Sequence, residues 1–317
     1  MSPLRRAVHE YLSMRRGLGY KLDRAGPALL DFVSFLQRRR ASYITLPLAL
    51  AWAKGPSAGQ PGTWAAQRLS FVRCFARYRS ATDPRTQVPP PKLLPFRPER
   101  ARPYLYSDTE IKDLLRATLN MPLSPKQPLC KLLPWVYYCL FGLLSVTGLR
   151  LGEARNLELR DVDLTGGVLT IRNGKFGRDR LVPLHPSTRK MLAEYLAKRQ
   201  RHWAGRSVSP YFFVSSWGNR LDSGAIHRAF YAASRRIGLR GVSDSHGPRL
   251  HDLRHRFASR TLWRWHRAGQ EPERRLPVLS AFLGHVHWSD TFWYLSATPE
   301  LMRGAMRRLE RHWKRRL

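Results

Sequence analysis

Cysteines, acidic residues and long apolar runs are all scarce in this sequence, and each scarcity excludes a class of protein. The 317 residues include 3 cysteines, too few and too unevenly spaced for a disulfide framework or a paired-cysteine metal site. The most apolar stretch, 132–146, is too short and too interrupted to span a bilayer, and no long apolar core follows the basic residues at the N-terminus. We therefore expect a cytoplasmic protein with reduced thiols, neither secreted nor embedded in a membrane.

The shortage of acidic residues points to the partner. Lysine and arginine total 56 against 22 aspartates and glutamates, so the formal net charge is +34. Such an excess repels itself in a compact fold, and a polyanionic partner would offset that repulsion. A high-GC genome raises arginine at the expense of lysine, but it does not explain the few acids. Since 43% of the residues are hydrophobic, the chain can bury a core, and we expect a folded protein that binds nucleic acid.

Two regions of different composition predict two domains joined by a linker. Residues 1–85 carry apolar residues at helical spacing and no strand pattern, which predicts a helical bundle. Its helices are predicted at 4–18, 27–36, 46–53 and 63–78, the third of them with Thr45 as its N-cap. Residues 86–103 hold many prolines between basic residues and are typical of an extended linker. Such a linker can equally lie along a DNA backbone or act as a solvated tether.

Residues 104–317 predict a second domain that is mainly helical with a small antiparallel sheet, which makes the fold class mainly α within α+β. Ser107 and Glu110 have the spacing of a capping box at its first helix, and 133–147 is typical of a buried helix. Segments 168–171 and 181–184 flank an Asn-Gly pair and predict a β-hairpin with a basic tip. Further helices are predicted at 187–202, 223–237, 250–265, 276–283 and 299–314.

Transfer of a phosphodiester without a metal sets tasks that side chains can perform. The non-bridging oxygens need positive charge, for which arginine is suited. The leaving oxygen needs a proton, a nucleophile must attack in line, and another group must take up and return the proton of the nucleophile. The second domain contains arginine, lysine, histidine and tyrosine in settings that fit these tasks.

Three short motifs supply the candidates. Arg150 lies in Thr-Gly-Leu-Arg-Leu-Gly-Glu, His251 and Arg254 lie in His-Asp-Leu-Arg-His, and His285 lies in Leu-Gly-His, nine residues before Tyr294. In a helix, His251 and Arg254 share a face. The second motif also approaches the zinc-protease signature, but that chemistry needs the longer glutamate and a third ligand. Taken singly, the first motif is also typical of a surface turn and the second of a structural helix. A lone tyrosine such as Tyr294 is also typical of a packing residue.

Taken in order, with the basic hairpin between the first two, the motifs resemble the tyrosine recombinases, or phage integrase family, over residues 104 to about 297. The resemblance implies a catalytic domain after a helical core-binding domain, double-stranded DNA as substrate at the bacterial nucleoid, and a tetramer around a Holliday junction, without metal or cofactor. It implies that Arg150 and Arg254 bind the scissile phosphate and that His285 donates a hydrogen bond to it. His251 would handle the proton of the nucleophile, and Tyr294 would be that nucleophile and form a 3′-phosphotyrosine.

The same resemblance assigns three further residues. Lys175, at the hairpin tip, would protonate the leaving 5′ oxygen, while Glu153 and His255 would support the site. The glycine that often follows the lysine in the family is absent, and Arg178 and Arg180 are alternative proton donors.

Other functions share part of this evidence. A type IB topoisomerase has the same catalytic set but acts as a monomer, and a non-catalytic DNA-binding protein has no reason to keep all six catalytic positions filled. Apolar residues at 301, 302, 306, 309 and 313 form a helical stripe that would be buried either on its own domain or on a neighbouring protomer. A protein–DNA adduct that resists denaturation would separate an enzyme from a binding protein.

Overall fold

The computed structural model describes residues 2–55, 62–94, 102–122, 131–172, 179–244, 246–285, 287, 289–296, 302–304 and 306. The chain divides into two compact units, residues 1–101 and 102–317. Within the described ranges, no helix is long and apolar enough to cross a membrane.

The first unit is a bundle of helices around its own core. They are α1 (Pro3–Gly17), α2 (Ala25–Arg38), α3 (Leu46–Lys54) and α4 (Gly62–Ser80). Ser2 and Thr45 cap α1 and α3 with their side chains, as the Thr45 prediction requires. Leu29, Phe32, Leu69 and Phe75 are fully buried between the helices, so the predicted helical bundle is confirmed.

The start of the proline-rich segment packs on this first unit. The Gln87 backbone N–H donates to the Ile44 carbonyl at 2.8 Å, and Arg73 donates to the carbonyls of Pro89 and Pro90 at 2.8 and 2.9 Å. Carbonyl groups before and within a proline run have no helical partner, so an arginine fork satisfies them. Residues 95–101 of the predicted linker lie outside the described residues.

The second unit combines helices with a three-stranded antiparallel sheet of order β1-β2-β3. Its helices are α5 (Asp108–Leu119), α6 (Leu133–Thr147), α7 (Leu151–Arg155), α8 (Pro186–His202), α9 (Ser223–Arg236), α10 (Asp252–Arg267), α11 (Pro272–Leu283) and α12 (Ser289–Ser296), and its strands are β1 (Val162–Asp163), β2 (Val168–Ile171) and β3 (Arg180–Pro183). The predicted hairpin is confirmed by the pairing of Val168 with Pro183 and of Ile171 with Arg180. The capping box of α5, made by Ser107 and Glu110, is also confirmed.

Two hydrophobic clusters hold the second unit together. The larger one surrounds α6, which is apolar on all sides, has most of its residues from Val136 onward buried, and contacts α5, α8 and α10. The smaller one consists of Ala258 and Leu262 from α10, three leucines of α11, and Tyr294 from α12. Helix α10 contacts both α6 and the α11–α12 pair, so it joins the two clusters.

The structure differs from the prediction at several places in this unit. Helix α10 begins at Asp252 rather than at residue 250, because His251 occupies the N-cap position, and α11 begins at Pro272 rather than at residue 276. Helices α7 and α12 and the short strand β1 are not among the predicted elements. Of the predicted helix 299–314, residues 302–304 and 306 are helical, and the others lie outside the described residues.

Candidate active site

The site begins where the buried helix α6 ends. Gly148 caps α6 in the left-handed conformation, with φ of +62°. A side chain there would also collide with Phe257, since a Cβ atom would come within 2.6 Å of its ring. This turn places Arg150 at the N-cap of α7, where Glu153 accepts a hydrogen bond from the Arg150 backbone N–H at 2.9 Å.

Arg150 and Arg254 converge on the C-terminal end of α11. Arg150 donates to the carbonyls of Leu283 and Gly284 at 3.4 and 3.1 Å, and Arg254 donates to the carbonyls of Leu283 and Gly148 at 2.7 Å each. The last carbonyls of a helix lack intrahelical donors and carry partial negative charge, which favours cations there. The two arginines predicted to share a phosphate thus lie side by side. Arg150 lies on the turn before α7, and Arg254 lies on α10.

Arg254 is buried more deeply than is usual for a cation. Its side chain is buried, with 2% of the residue exposed. Burial and, after it, the neighbouring charge of Arg150 lower the pKa of Arg254 to about 10, although Tyr294 and Glu153 oppose the shift. A guanidinium in such a place gains more from an anion than one in water would.

Glu153 is clamped between two guanidinium groups. Arg180 donates to its two carboxylate oxygens at 3.1 and 2.7 Å, and Arg150 donates to one of them at 2.9 Å. Burial tends to raise the pKa of Glu153, but the hydrogen bonds and charges of the two arginines outweigh it, so the pKa is lowered. The carboxylate therefore stays ionised and holds Arg150 in place.

His251 stands at the start of α10, close to both phosphate-binding candidates. Its ring is exposed to solvent on one side, but the surrounding protein lowers its pKa by desolvation, and the charges of Arg254, Arg249 and Arg150 lower it further while Asp252 opposes them. The pKa thus lies below the ordinary 6.5. His251 is therefore neutral at pH 7 and able to accept a proton.

Tyr294 lies among the same residues. It is 3% exposed, its ring stacks on that of His285 with centroids 6.2 Å apart, and its side chain is close enough to Arg254 to act on the pKa of that guanidinium. The Nδ1 atom of His285 is 2.8 Å from the hydroxyl oxygen of Thr291, which is fully buried one helical turn before Tyr294. A hydrogen bond thus ties His285 to the helix that carries the tyrosine.

His255 packs behind these groups. Its ring centroid lies 5.5 Å from that of Tyr294, 5.1 Å from that of Trp293 and 4.8 Å from that of His251. It is 6% exposed, as expected of a supporting residue. Over the described ranges, no three His, Cys, Asp or Glu side chains are close enough together to share a metal ion.

The structure thus brings together most of the residues predicted from the sequence. The group comprises Arg150, Glu153, His251, Arg254, His255, His285 and Tyr294. Lys175 lies outside the described residues, within 173–178. Sequence reasoning missed the anchoring roles of Arg180 and Thr291. A weak signal existed for Arg180, since it was one of several arginines near Lys175, but Thr291 gave none.

Comparison with known proteins agrees with this geometry. Residues 108–300 match the model of the phage integrase family. The chain is similar to the y4rB protein of Sinorhizobium fredii, provisionally named an integrase/recombinase, with 62% identity over 316 residues and 100% of both chains covered. It is also similar to the tyrosine recombinase XerC of Pelotomaculum thermopropionicum, with 30% identity over 253 residues that cover 77% of this chain and 73% of that protein.

Solved structures share the fold. The Tn1549 transposon integrase in complex with transposon right-end DNA has a TM-score of 0.64 at 17% identity, covering 96% of this chain and 99% of that one. The XerH site-specific recombinase bound to its difH substrate has a TM-score of 0.63 at 18% identity, covering 92% and 81%. The family match, the relatives and the clustered arginines, histidines and tyrosine lead to one conclusion: the chain belongs to the phage integrase family, the tyrosine recombinases, which are enzymes of DNA cleavage and religation.

Proposed function

We propose that this chain is a site-specific DNA recombinase that cuts and rejoins double-stranded DNA through a covalent link to Tyr294. The observation that carries the proposal is the contact of Tyr294 with Arg254 of its own chain, next to Arg150 and His285. A phosphate held by the two arginines would lie beside the tyrosine hydroxyl. The two domains would act on DNA in the cytoplasm, at the nucleoid.

The cleavage step follows from these positions. The hydroxyl oxygen of Tyr294 attacks the phosphorus, and the bond from phosphorus to the 5′ oxygen breaks. His251 is suited to receive the tyrosine proton because its lowered pKa keeps it neutral. Arg150, Arg254 and His285 stabilise the charge on the non-bridging oxygens. The leaving 5′ oxygen receives a proton, and Lys175 is the proposed donor.

Rejoining reverses the same step. The 3′-phosphotyrosine keeps the energy of the phosphodiester, so a 5′ hydroxyl can displace Tyr294 without ATP. Exchange of 5′ ends between two duplexes gives a Holliday junction. A lambda integrase tetramer bound to such a junction and a lambda integrase dimer on a core site share this fold, with TM-scores of 0.55 and 0.53. We propose the same stoichiometry, four protomers on two duplexes, for this chain.

A suicide substrate tests the proposal. The probe is a nicked duplex built on the site that the wild-type chain selects from a random-sequence DNA library, called the selected duplex below. The wild-type chain should form a covalent adduct on a denaturing gel, and Tyr294→Phe should bind the duplex but form none. Tyr138→Phe, on α6 and outside the site, is the matched control and should behave as wild type.

Three further outcomes would change the proposal. An adduct with Tyr294→Phe would place the nucleophile elsewhere. Loss of cleavage in excess EDTA, restored by one divalent metal, would contradict the assignment of phosphate stabilisation to the two arginines and His285. Relaxation of supercoiled DNA that lacks the selected site would instead favour a topoisomerase.

A further inference from the structure

Arg180 has no role in the cleavage scheme, yet it has the most complete set of protein contacts in the site. It is the first residue of β3 and pairs with Ile171 across the hairpin. Its Nε atom donates to the Phe282 carbonyl at 2.8 Å, and its two terminal nitrogens donate to the two oxygens of Glu153 at 3.1 and 2.7 Å. All three nitrogens of the guanidinium therefore face protein acceptors, and its side chain is 12% exposed.

These contacts reach both halves of the phosphate pocket. Through Glu153, Arg180 acts on Arg150, which donates two hydrogen bonds to that carboxylate, one from its backbone N–H and one from its side chain. Through the Phe282 carbonyl, Arg180 holds the last turn of α11, whose next two carbonyls bind Arg150 and Arg254. One guanidinium thus braces the turn that presents His285 and the turn that presents Arg150.

The packing of Gly284 supports this reading independently. Gly284 ends α11 in the left-handed conformation, with φ of +67°, and a Cβ atom there would lie 2.7 Å from a terminal nitrogen of Arg180 and 3.0 Å from its Cζ atom. The guanidinium therefore lies directly against the backbone just before His285. Only a residue without a side chain allows that approach.

We propose that Arg180 is a positioning residue for DNA cleavage: it fixes Glu153 and the end of α11, and through them Arg150 and His285. The inference rests on the function proposed above. It also assigns Arg180 a task other than protonation of the leaving oxygen, because each of its nitrogens already donates within the protein. A planar fork is needed to reach a carboxylate and a carbonyl together, which the single ammonium of lysine does not do.

The expected effect is on rate rather than on binding. A misplacement of about 1 Å in a catalytic group costs on the order of 10²-fold in rate. We expect Arg180→Gln and Arg180→Lys each to slow single-turnover cleavage of the selected duplex by that order, with a change in Kd of less than about threefold, within the range of weak contacts. Arg172→Gln is the matched control, since Arg172 ends the other side of the same hairpin and pairs with Asp161 at 2.7 Å, 49% exposed and away from α11.

A substrate with a 5′-bridging phosphorothiolate separates positioning from acid catalysis. Its thiolate leaves without a proton, so loss of a general acid is rescued on it. The Arg180 variants should stay slow on both substrates. Rescue to the wild-type rate would overturn the inference, because Arg180 would then be the proton donor.

A double-mutant cycle with Glu153→Gln tests the route of the effect and guards against misfolding. Arg180→Gln removes one of the two cations that clamp Glu153, whereas Glu153→Gln leaves the buried guanidinium of Arg180 without its carboxylate, which destabilises the fold more. The double variant should melt no lower than Glu153→Gln and cleave as slowly as the slower single variant, since the pair acts as a unit. Cleavage by the double variant at the wild-type rate, or multiplicative losses, would refute the positioning role. If the wild-type chain itself forms no adduct, the proposed function fails instead, and the two failures are distinguishable.

Discussion

Removing the hydroxyl of Thr291 is the sharpest test of how the site is held together. Thr291 is fully buried, and its hydroxyl oxygen lies 2.8 Å from Nδ1 of His285. When that hydroxyl donates to Nδ1, the ring must carry its proton on Nε2, the tautomer that can donate to a phosphate. Thr291→Val keeps the shape of the side chain but removes this constraint. Because the position is buried, water cannot replace the lost partner.

The expected loss in cleavage rate follows from the free energy that one hydrogen bond contributes. A net contribution of about 0.5–1.5 kcal/mol corresponds to roughly a 2- to 13-fold loss in rate if it is expressed fully in the transition state. Removing the proposed phosphate donor itself, in His285→Ala, should cost more, on the order of 10²–10³-fold in rate. Thr291→Ser retains the hydroxyl and should stay within about twofold of wild type, below the lower limit for a lost hydrogen bond.

Single-turnover cleavage of the selected duplex measures all three variants, with a gel-shift titration beside it to show that binding is intact. The expected order of rates is wild type, then Thr291→Ser, then Thr291→Val, then His285→Ala. The reasoning is refuted if Thr291→Val cleaves at the wild-type rate. It is also refuted if serine is as slow as valine, since the loss would then come from packing rather than from the hydroxyl.

Three other expectations concern separate parts of the mechanism. The cleavage rate should fall as the pH drops through the lowered pKa of His251, at a pH below 6.5. Arg249→Gln should move that fall to higher pH, because it removes a cation that lowers the pKa of His251, and an unmoved pH profile would contradict this. Lys175→Ala should slow cleavage of a normal 5′ oxygen but not of the phosphorothiolate, and equal loss on both would mean that the lysine only binds. Removing residues 299–317 should weaken synapsis more than single-site binding, since Met302 and Met306 are 55% and 60% exposed on the single chain and a neighbouring protomer could cover them. An unchanged synaptic complex with a large fall in Tm, at matched salt, would count against docking on the neighbouring protomer.

Features set by local chemistry could be predicted from the sequence. The bounds of α6 follow from a continuous apolar run that ends at Gly148, and the start of α5 follows from the capping box at Ser107. The hairpin strands follow from alternation around an Asn-Gly pair. The candidate site could be named because its residues lie in short motifs of fixed order, with Arg150 and Tyr294 as the first and last.

Features set by distant contacts could not be predicted. Arg180 resembles its neighbouring arginines in sequence, and its role comes from contacts with Glu153 and with the Phe282 carbonyl, the latter 102 residues further along the chain. Thr291 matters because a helix of eight residues, α12, folds back toward His285, and so short a segment has no periodicity of its own strong enough to predict it. His251 appeared to be a residue within a helix, whereas the structure makes it the cap, since Asp252 pairs with Arg249 in front of the first turn.

The segment that carries Tyr294, the proposed nucleophile, packs in its own small hydrophobic cluster, so its local stability is separate from that of the rest of the domain. Six buried residues form this cluster, and the much larger core around α6 does not include them. Local opening of α11 and α12 would therefore expose mainly the minor cluster, together with Phe282, which also packs against the main core. Arg150 and Arg254, which would bind a phosphate, also donate to the carbonyls at the end of α11. A phosphate that binds there would compete with these carbonyls for the arginine N–H groups. We therefore expect phosphate binding to weaken the attachment of α11 and α12, and of Tyr294 with them, to the rest of the domain.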